Sequence, residues 1–88
     1  MAFTARGVPR IRRHGVPRAV LDHLRTRLLE REINSAQLDL FARWLDAEPE
    51  VPAGRWFKRF PSLIVCGQGE LVKTFLRPGQ VPDGEELR

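Results

Sequence analysis

The sequence predicts an α+β domain in which two N-terminal helices pack on a small antiparallel sheet that includes a C-terminal hairpin. Three observations predict it. Apolar residues recur twice at helical spacing before residue 48, the Pro- and Gly-rich connection Glu48-Pro49-Glu50-Val51-Pro52-Ala53-Gly54 follows, and from Arg55 onward short β-prone runs alternate with turn residues. Helices first and strands afterwards indicate separate layers rather than alternating β-α-β units. With 88 residues the chain has room for one domain and a modest core.

Each element has its own warrant. Residues 1–16 carry Gly7, Pro9 and Gly15 and no apolar period, so they read as a basic arm or a loose first strand. Residues 17–88 form the α+β domain. Pro17 suits the first turn of a helix, and Val20, Leu21, Leu24 and Leu28 line one face of it through about Glu32. Asn34 or Ser35 caps a second helix, with Gln37 in the capping-box position and Leu38, Phe41, Ala42 and Leu45 as its apolar stripe, ending near Ala47. Three strands are expected over residues 56–60, 63–66 and 71–76, with Gly67 and Gly69 able to supply a positive φ for the hairpin turn. Arg77-Pro78-Gly79 closes the sheet, and a polar tail remains.

The composition is that of a globular chain. Cys66 stands alone, so neither an internal disulfide nor a cysteine zinc site is available, and its flank Leu63-Ile64-Val65 predicts a buried thiol. No run approaches the roughly 20 apolar residues of a membrane span, and MAFTARGVPRIRRHG lacks the apolar stretch of a signal peptide. A cytoplasmic protein without membrane, metal or cofactor is the expectation.

The net charge of +4 is unevenly distributed. Residues 1–31 set eight arginines against Asp22 and Glu30, whereas residues 32–54 set five acids against Arg43. Residues 55–77 are basic again, with Arg55, Lys58, Arg59, Lys73 and Arg77 against Glu70, and the tail carries Asp83, Glu85 and Glu86. Should the two basic segments share a side, Arg10, Arg12, Arg13, Lys58, Arg59, Lys73 and Arg77 form a phosphate-attracting face.

No phosphate-binding glycine loop, metal-ligand spacing or nucleophile elbow is present. His14, set in Arg12-Arg13-His14-Gly15, places an imidazole among phosphate-binding cations. In the first strand, alternation puts Trp56, Lys58 and Phe60 on one face and Arg55, Phe57 and Arg59 on the other. Mixed aromatic and basic faces suit single-stranded nucleic acid, while in a domain this small the aromatics are also wanted in the core. In the last strand, alternation separates Leu71, Lys73 and Phe75 from Val72, Thr74 and Leu76. Unless a bulge intervenes, Lys73 and Thr74 point opposite ways.

Four short motifs occur in order: His14 with Arg18, then Leu29-Glu30-Arg31-Glu32-Ile33-Asn34-Ser35, then Trp44-Leu45-Asp46-Ala47-Glu48-Pro49-Glu50-Val51, then Val72-Lys73-Thr74-Phe75-Leu76. The series resembles the small RelE/BrnT-like toxins of the barnase-like and colicin-like ribonuclease fold. Those proteins share a His-x-x-x-Arg helix, an Arg-Gly-Ile-Ser helix start, a Leu-x-x-Pro-Glu helix end and a Val-Val-Thr strand. Glu32 departs from that pattern, standing where the family has glycine, and the chain has no tyrosine, which some relatives use. The resemblance implies a metal-independent endoribonuclease with His14, Arg18 and Thr74 as catalytic residues. RNA would be its target and an antitoxin or immunity protein its partner. Such cleavage needs a base for the ribose 2′-hydroxyl and cations for the charged phosphorane. The residues alone are equally compatible with a non-catalytic module, such as a phage or accessory inhibitor, that binds nucleic acid or protein through a basic face.

Overall fold

The computed structural model describes residues 8–88, so residues 1–7 of the expected arm lie outside the described residues. The helices are α1 (Arg18–Leu29) and α2 (Ser35–Asp46), and the strands are β1 (Arg55–Phe60), β2 (Leu63–Gln68), β3 (Leu71–Leu76) and β4 (Glu85–Leu87). The α+β class and the order of helices before strands are as expected. The sheet, however, is mixed, in the order β3-β2-β1-β4, with β1, β2 and β3 antiparallel and β4 parallel to β1. The expected antiparallel part of the sheet is thus β1, β2 and β3, and the expected polar tail contributes a fourth, parallel strand. Glu85-Glu86-Leu87 has too little apolar character to announce itself, and it is aligned by pairing with Trp56, Phe57 and Lys58.

Local chemistry sets the helix ends. Arg31 takes a left-handed conformation (φ 62°), which lets its N–H reach the Leu28 carbonyl at 3.1 Å and the Glu32 N–H reach the Arg27 carbonyl at 2.9 Å. This paired closure stops α1 at Leu29 instead of near Glu32. At the start of α2, the Gln37 N–H donates to Asn34 Oδ1 at 2.9 Å and the Asn34 N–H donates to Gln37 Oε1 at 3.1 Å. Asn34 is therefore the cap, and the reciprocal bonds satisfy two donors that the first turn leaves free.

Both helices cover one face of the sheet. Leu24, Phe41 and Leu45 meet Trp56, Leu63, Val65, Val72 and Phe75, with Ile11, Val16, Ile33 and Val51 completing the core. Phe41 packs edge-on against Phe75 and Phe60, with ring centroids 5.4 and 5.8 Å away. Gly67, expected at a turn, instead lies within β2 beneath the Trp56 indole, where a Cβ would overlap the ring. Gly69 takes the positive φ of 55°, and its carbonyl accepts from Trp56 Nε1 at 2.9 Å. Leu21, expected on the buried face of α1, is exposed. Arg27 occupies an inward position instead and is 7% exposed.

Residues 9–16 are anchored to the domain rather than held loosely: Ile11, Gly15 and Val16 are buried, while Arg10, Arg12, Arg13 and His14 stay exposed. Ile11 is fully buried, its N–H donates to the Pro49 carbonyl at 3.1 Å, and the Val51 N–H returns to the Pro9 carbonyl at 2.8 Å. Burying one such side chain contributes about 1.5–3 kcal/mol, a large gain for a small domain. Gly15 packs against the Glu70 carbonyl in the β2–β3 turn, which ties this segment to the hairpin. No helix among the described residues is long and apolar enough to cross a membrane.

Candidate functional site

The polar centre of the molecule is made by one extra residue in β3. Cys66 pairs with Thr74 and Gly67 with Val72, so Lys73 has no partner in the ladder. This is a β-bulge, and it corrects the expected alternation: Val72 and Phe75 both enter the core. A three-residue interval between two core side chains requires an extra residue to absorb the pleat. Lys73 and Thr74 consequently line one cleft, on the sheet face away from the helices.

That cleft measures about 340 Å³ and is bounded by Arg55, Cys66, Gln68, Lys73, Thr74 and Leu76 from the sheet. Its remaining wall is Val81, Pro82 and Asp83. These belong to residues 77–84, which lead from β3 at one edge of the sheet to β4 at the other and so cross the outer face as a strap. Arg55 pairs with Asp83 of the strap, a contact that holds it over the mouth. Lys73 is exposed and makes no ion pair with any described residue. Thr74, its neighbour in the lining, is half-buried. Cys66, expected to be buried, is only half-buried because it faces outward, opposite Thr74. Partial burial nevertheless pushes its thiol above the ordinary value.

The arm's cations have a different fate. Arg10 pairs with Glu50 at 3.2 Å and donates to the Glu48 carbonyl at 2.9 Å, and Arg12 pairs with the Glu48 carboxylate at 2.9 Å. Arg13 holds Asp46 through two bonds of 2.6 and 2.8 Å. These bonds hold the Asp46 carboxyl below the usual range and raise Arg13 above its own. The acids cluster where α2 ends, a place where the helix dipole disfavours negative charge, so the arm's guanidinium groups offset both effects. Arg77 grips Glu32 bidentately at 2.9 and 3.0 Å, again lowering the carboxyl. Arg59 pairs with Glu86 at 3.4 Å and lies over Phe57, and Lys58 sits 5.6 Å from the centre of the Phe60 ring.

His14 is exposed in a short 3-10 turn, Arg13–Gly15, and Arg18 is the exposed first residue of α1. Arg18 lines a shallow groove with Leu21, Asp22 and Arg25. Neither His14 nor Arg18 lines the cleft that holds Thr74. They belong with the helix layer, and Thr74 faces out from the other side of the sheet. Of the ten residues expected at a site, the structure brings together Lys73 and Thr74, and it adds Arg55, Gln68 and the strap. Among the described residues, no cluster of three or more His, Cys, Asp or Glu is arranged to hold a metal. Comparison with protein-family models, with curated proteins and with solved structures finds no match to the chain.

Proposed function

We propose that the protein binds RNA, with the Lys73–Thr74 cleft, on the sheet face away from the helices and beside the strap, as its contact surface. The bulge carries this reading, because it sets an unpaired cation beside a hydroxyl-bearing residue on one face. With the Gln68 amide they supply a charge and directional donors for one phosphate and the edge of a nucleotide. The cleft volume lies within the range of small-ligand sites. The resemblance to RelE/BrnT-like toxins, whose sheet carries the RNA-cleaving surface, points to the same face. It also implies an antitoxin or immunity partner and work in the cytoplasm.

Binding comes before cleavage in this reading because His14 and Arg18 lie away from Thr74. Should the protein cleave RNA, the groups around the cleft have to do it, and His14→Ala will be as active as the unaltered protein while Thr74→Ala loses activity. The test is a single-stranded RNA oligonucleotide titrated with protein and then examined for cleavage. Saturable, salt-sensitive binding supports the proposal. Association with neither RNA nor DNA at low salt refutes it.

One observation favours a second reading. Because Arg10, Arg12, Arg13, Arg59 and Arg77 are already paired with carboxylates, the wide basic face is largely neutralised. A protein-binding inhibitor module fits that charge pattern, with the strap's exposed Val81 as an apolar contact. Salt-insensitive capture of a protein, without RNA binding, would replace the first reading with this one.

A further inference from the structure

Arg27 is the one charged side chain buried among the described residues. Helical spacing puts it on the inward side of α1 with Val20, Leu24 and Leu28, and its Nη2 donates to the Phe75 carbonyl of edge strand β3 at 2.9 Å. Its Nε and Nη1 are buried with no hydrogen-bond partner among the described residues. A buried guanidinium with donors left over is strongly unfavourable unless something accepts from it.

Arg27 lines a second cleft, of about 320 Å³, together with Glu32, Ile33, Ser62, Arg77 and Pro78. It lies between the end of α1 and the two chain segments that border β1 and β3, apart from the Lys73–Thr74 cleft. Two guanidinium groups and a hydroxyl converge there. Glu32 is the carboxylate in the lining, and both its oxygens are taken by Arg77. Glu30 lies beside Glu32 and Arg77 at the rim and is the other acid close to the pair.

We infer that this cleft is an anion site for a phosphate-sized oxyanion, with Arg27 and Arg77 as its cationic walls, Ser62 as a neutral donor and Glu32 as an internal competitor. Glu32 occupies Arg77 as a carboxylate ligand of the chain's own. A phosphate carries more charge and more acceptor oxygens than a carboxylate. It can therefore take Arg77 from Glu32, and that displacement would open a way to the Arg27 donors, which are shut off from solvent while Glu32 is in place. The free anion and a terminal phosphate on a nucleotide share this chemistry.

The experiment is calorimetric titration of the full chain with inorganic phosphate at constant ionic strength, repeated with a 5′-phosphorylated and an unphosphorylated mononucleoside to separate the two sources. Saturable binding is expected. Glu32→Gln, which removes the competitor, tightens it about tenfold, and Arg77→Gln weakens it about tenfold. Ser62→Ala weakens it by a smaller factor, while Arg43→Gln, which removes an equal charge from the far side of α2, changes nothing. Arg27→Met is informative where it folds, and the Glu32 and Arg77 variants carry the test where it does not. The inference is overturned by an absence of saturable phosphate binding in the unaltered protein at millimolar phosphate. It is equally overturned if Glu32→Gln fails to tighten binding, or if Arg43→Gln weakens it as much as Arg77→Gln does.

Discussion

The chain concentrates cations in two segments, and what separates the arm's arginines from Lys73 of the hairpin is whether an acid meets them in the fold. In the arm, Arg10, Arg12 and Arg13 are paired with Glu50, Glu48 and Asp46, where they fasten residues 9–16 beside the end of α2. In the hairpin, Lys73 is pushed out of the ladder by the bulge and keeps its charge for solvent or a ligand. Density of positive charge along the sequence is thus a poor guide to binding. What matters is whether an acid lies within reach once the chain has folded. The arm has three such acids from one short segment, whereas the carboxylate bordering the Lys73 cleft, Asp83, is already held by Arg55.

The largest effect that would sharpen this contrast concerns the arm's docking. A Cβ at Gly15 runs into the backbone carbonyl of Glu70, and neither side is a flexible side chain. Gly15→Ala is expected to cost about 2–3 kcal/mol in denaturant unfolding. RNA affinity at saturating folded protein should stay near that of the unaltered chain. Deletion of Lys73 attacks the other region. It removes the extra residue and leaves Val72 in, Thr74 out and Phe75 in along a regular ladder, so stability should change by no more than about 1 kcal/mol. RNA affinity, measured by fluorescence anisotropy, should fall about tenfold.

Smaller effects belong to the arm's ion pairs. Arg13→Gln is expected to alter RNA affinity less than about twofold, because that guanidinium is occupied by Asp46. A larger drop would break the distinction between the regions. The same pair makes a pH prediction. Bonding to Arg13 lowers the Asp46 carboxyl in the folded state, and bonding to Arg77 does the same for Glu32. The stability these pairs add is complete above the ordinary carboxylate pKa of about 4 and is lost as pH falls through the lowered folded values. Asp46→Asn should flatten that acid limb of the stability curve, measured by thermal unfolding across the acidic range.

Much of the fold was legible. The capping residues Asn34 and Gln37, the spacing of Phe41 and Leu45, and the glycine-flanked hairpin each act through local rules, and local rules can be read along a line. The arm's docking, β4 and the strap were not legible, since they depend on pairings more than 25 residues apart, such as Arg55 with Asp83. The bulge was half legible. Two polar residues between Val72 and Phe75 break the period-two pattern, and that break is itself a signal for an extra residue. Arg27 also left a trace, as a cation at an apolar position of the α1 stripe. For the candidate site, sequence supplied Lys73 and Thr74, but only the ladder register could say that they share a side.

The central claim, that Lys73 and not the arm meets the phosphate backbone, is tested most directly by the salt dependence of single-stranded RNA binding in the unaltered protein, Lys73→Ala and Arg12→Ala. Removing one cation from a phosphate reduces the steepness of log affinity against log salt by about 0.7. The expected result is that reduction for Lys73→Ala and an unchanged slope for Arg12→Ala. An unchanged slope for Lys73→Ala together with a shallower one for Arg12→Ala would contradict the account.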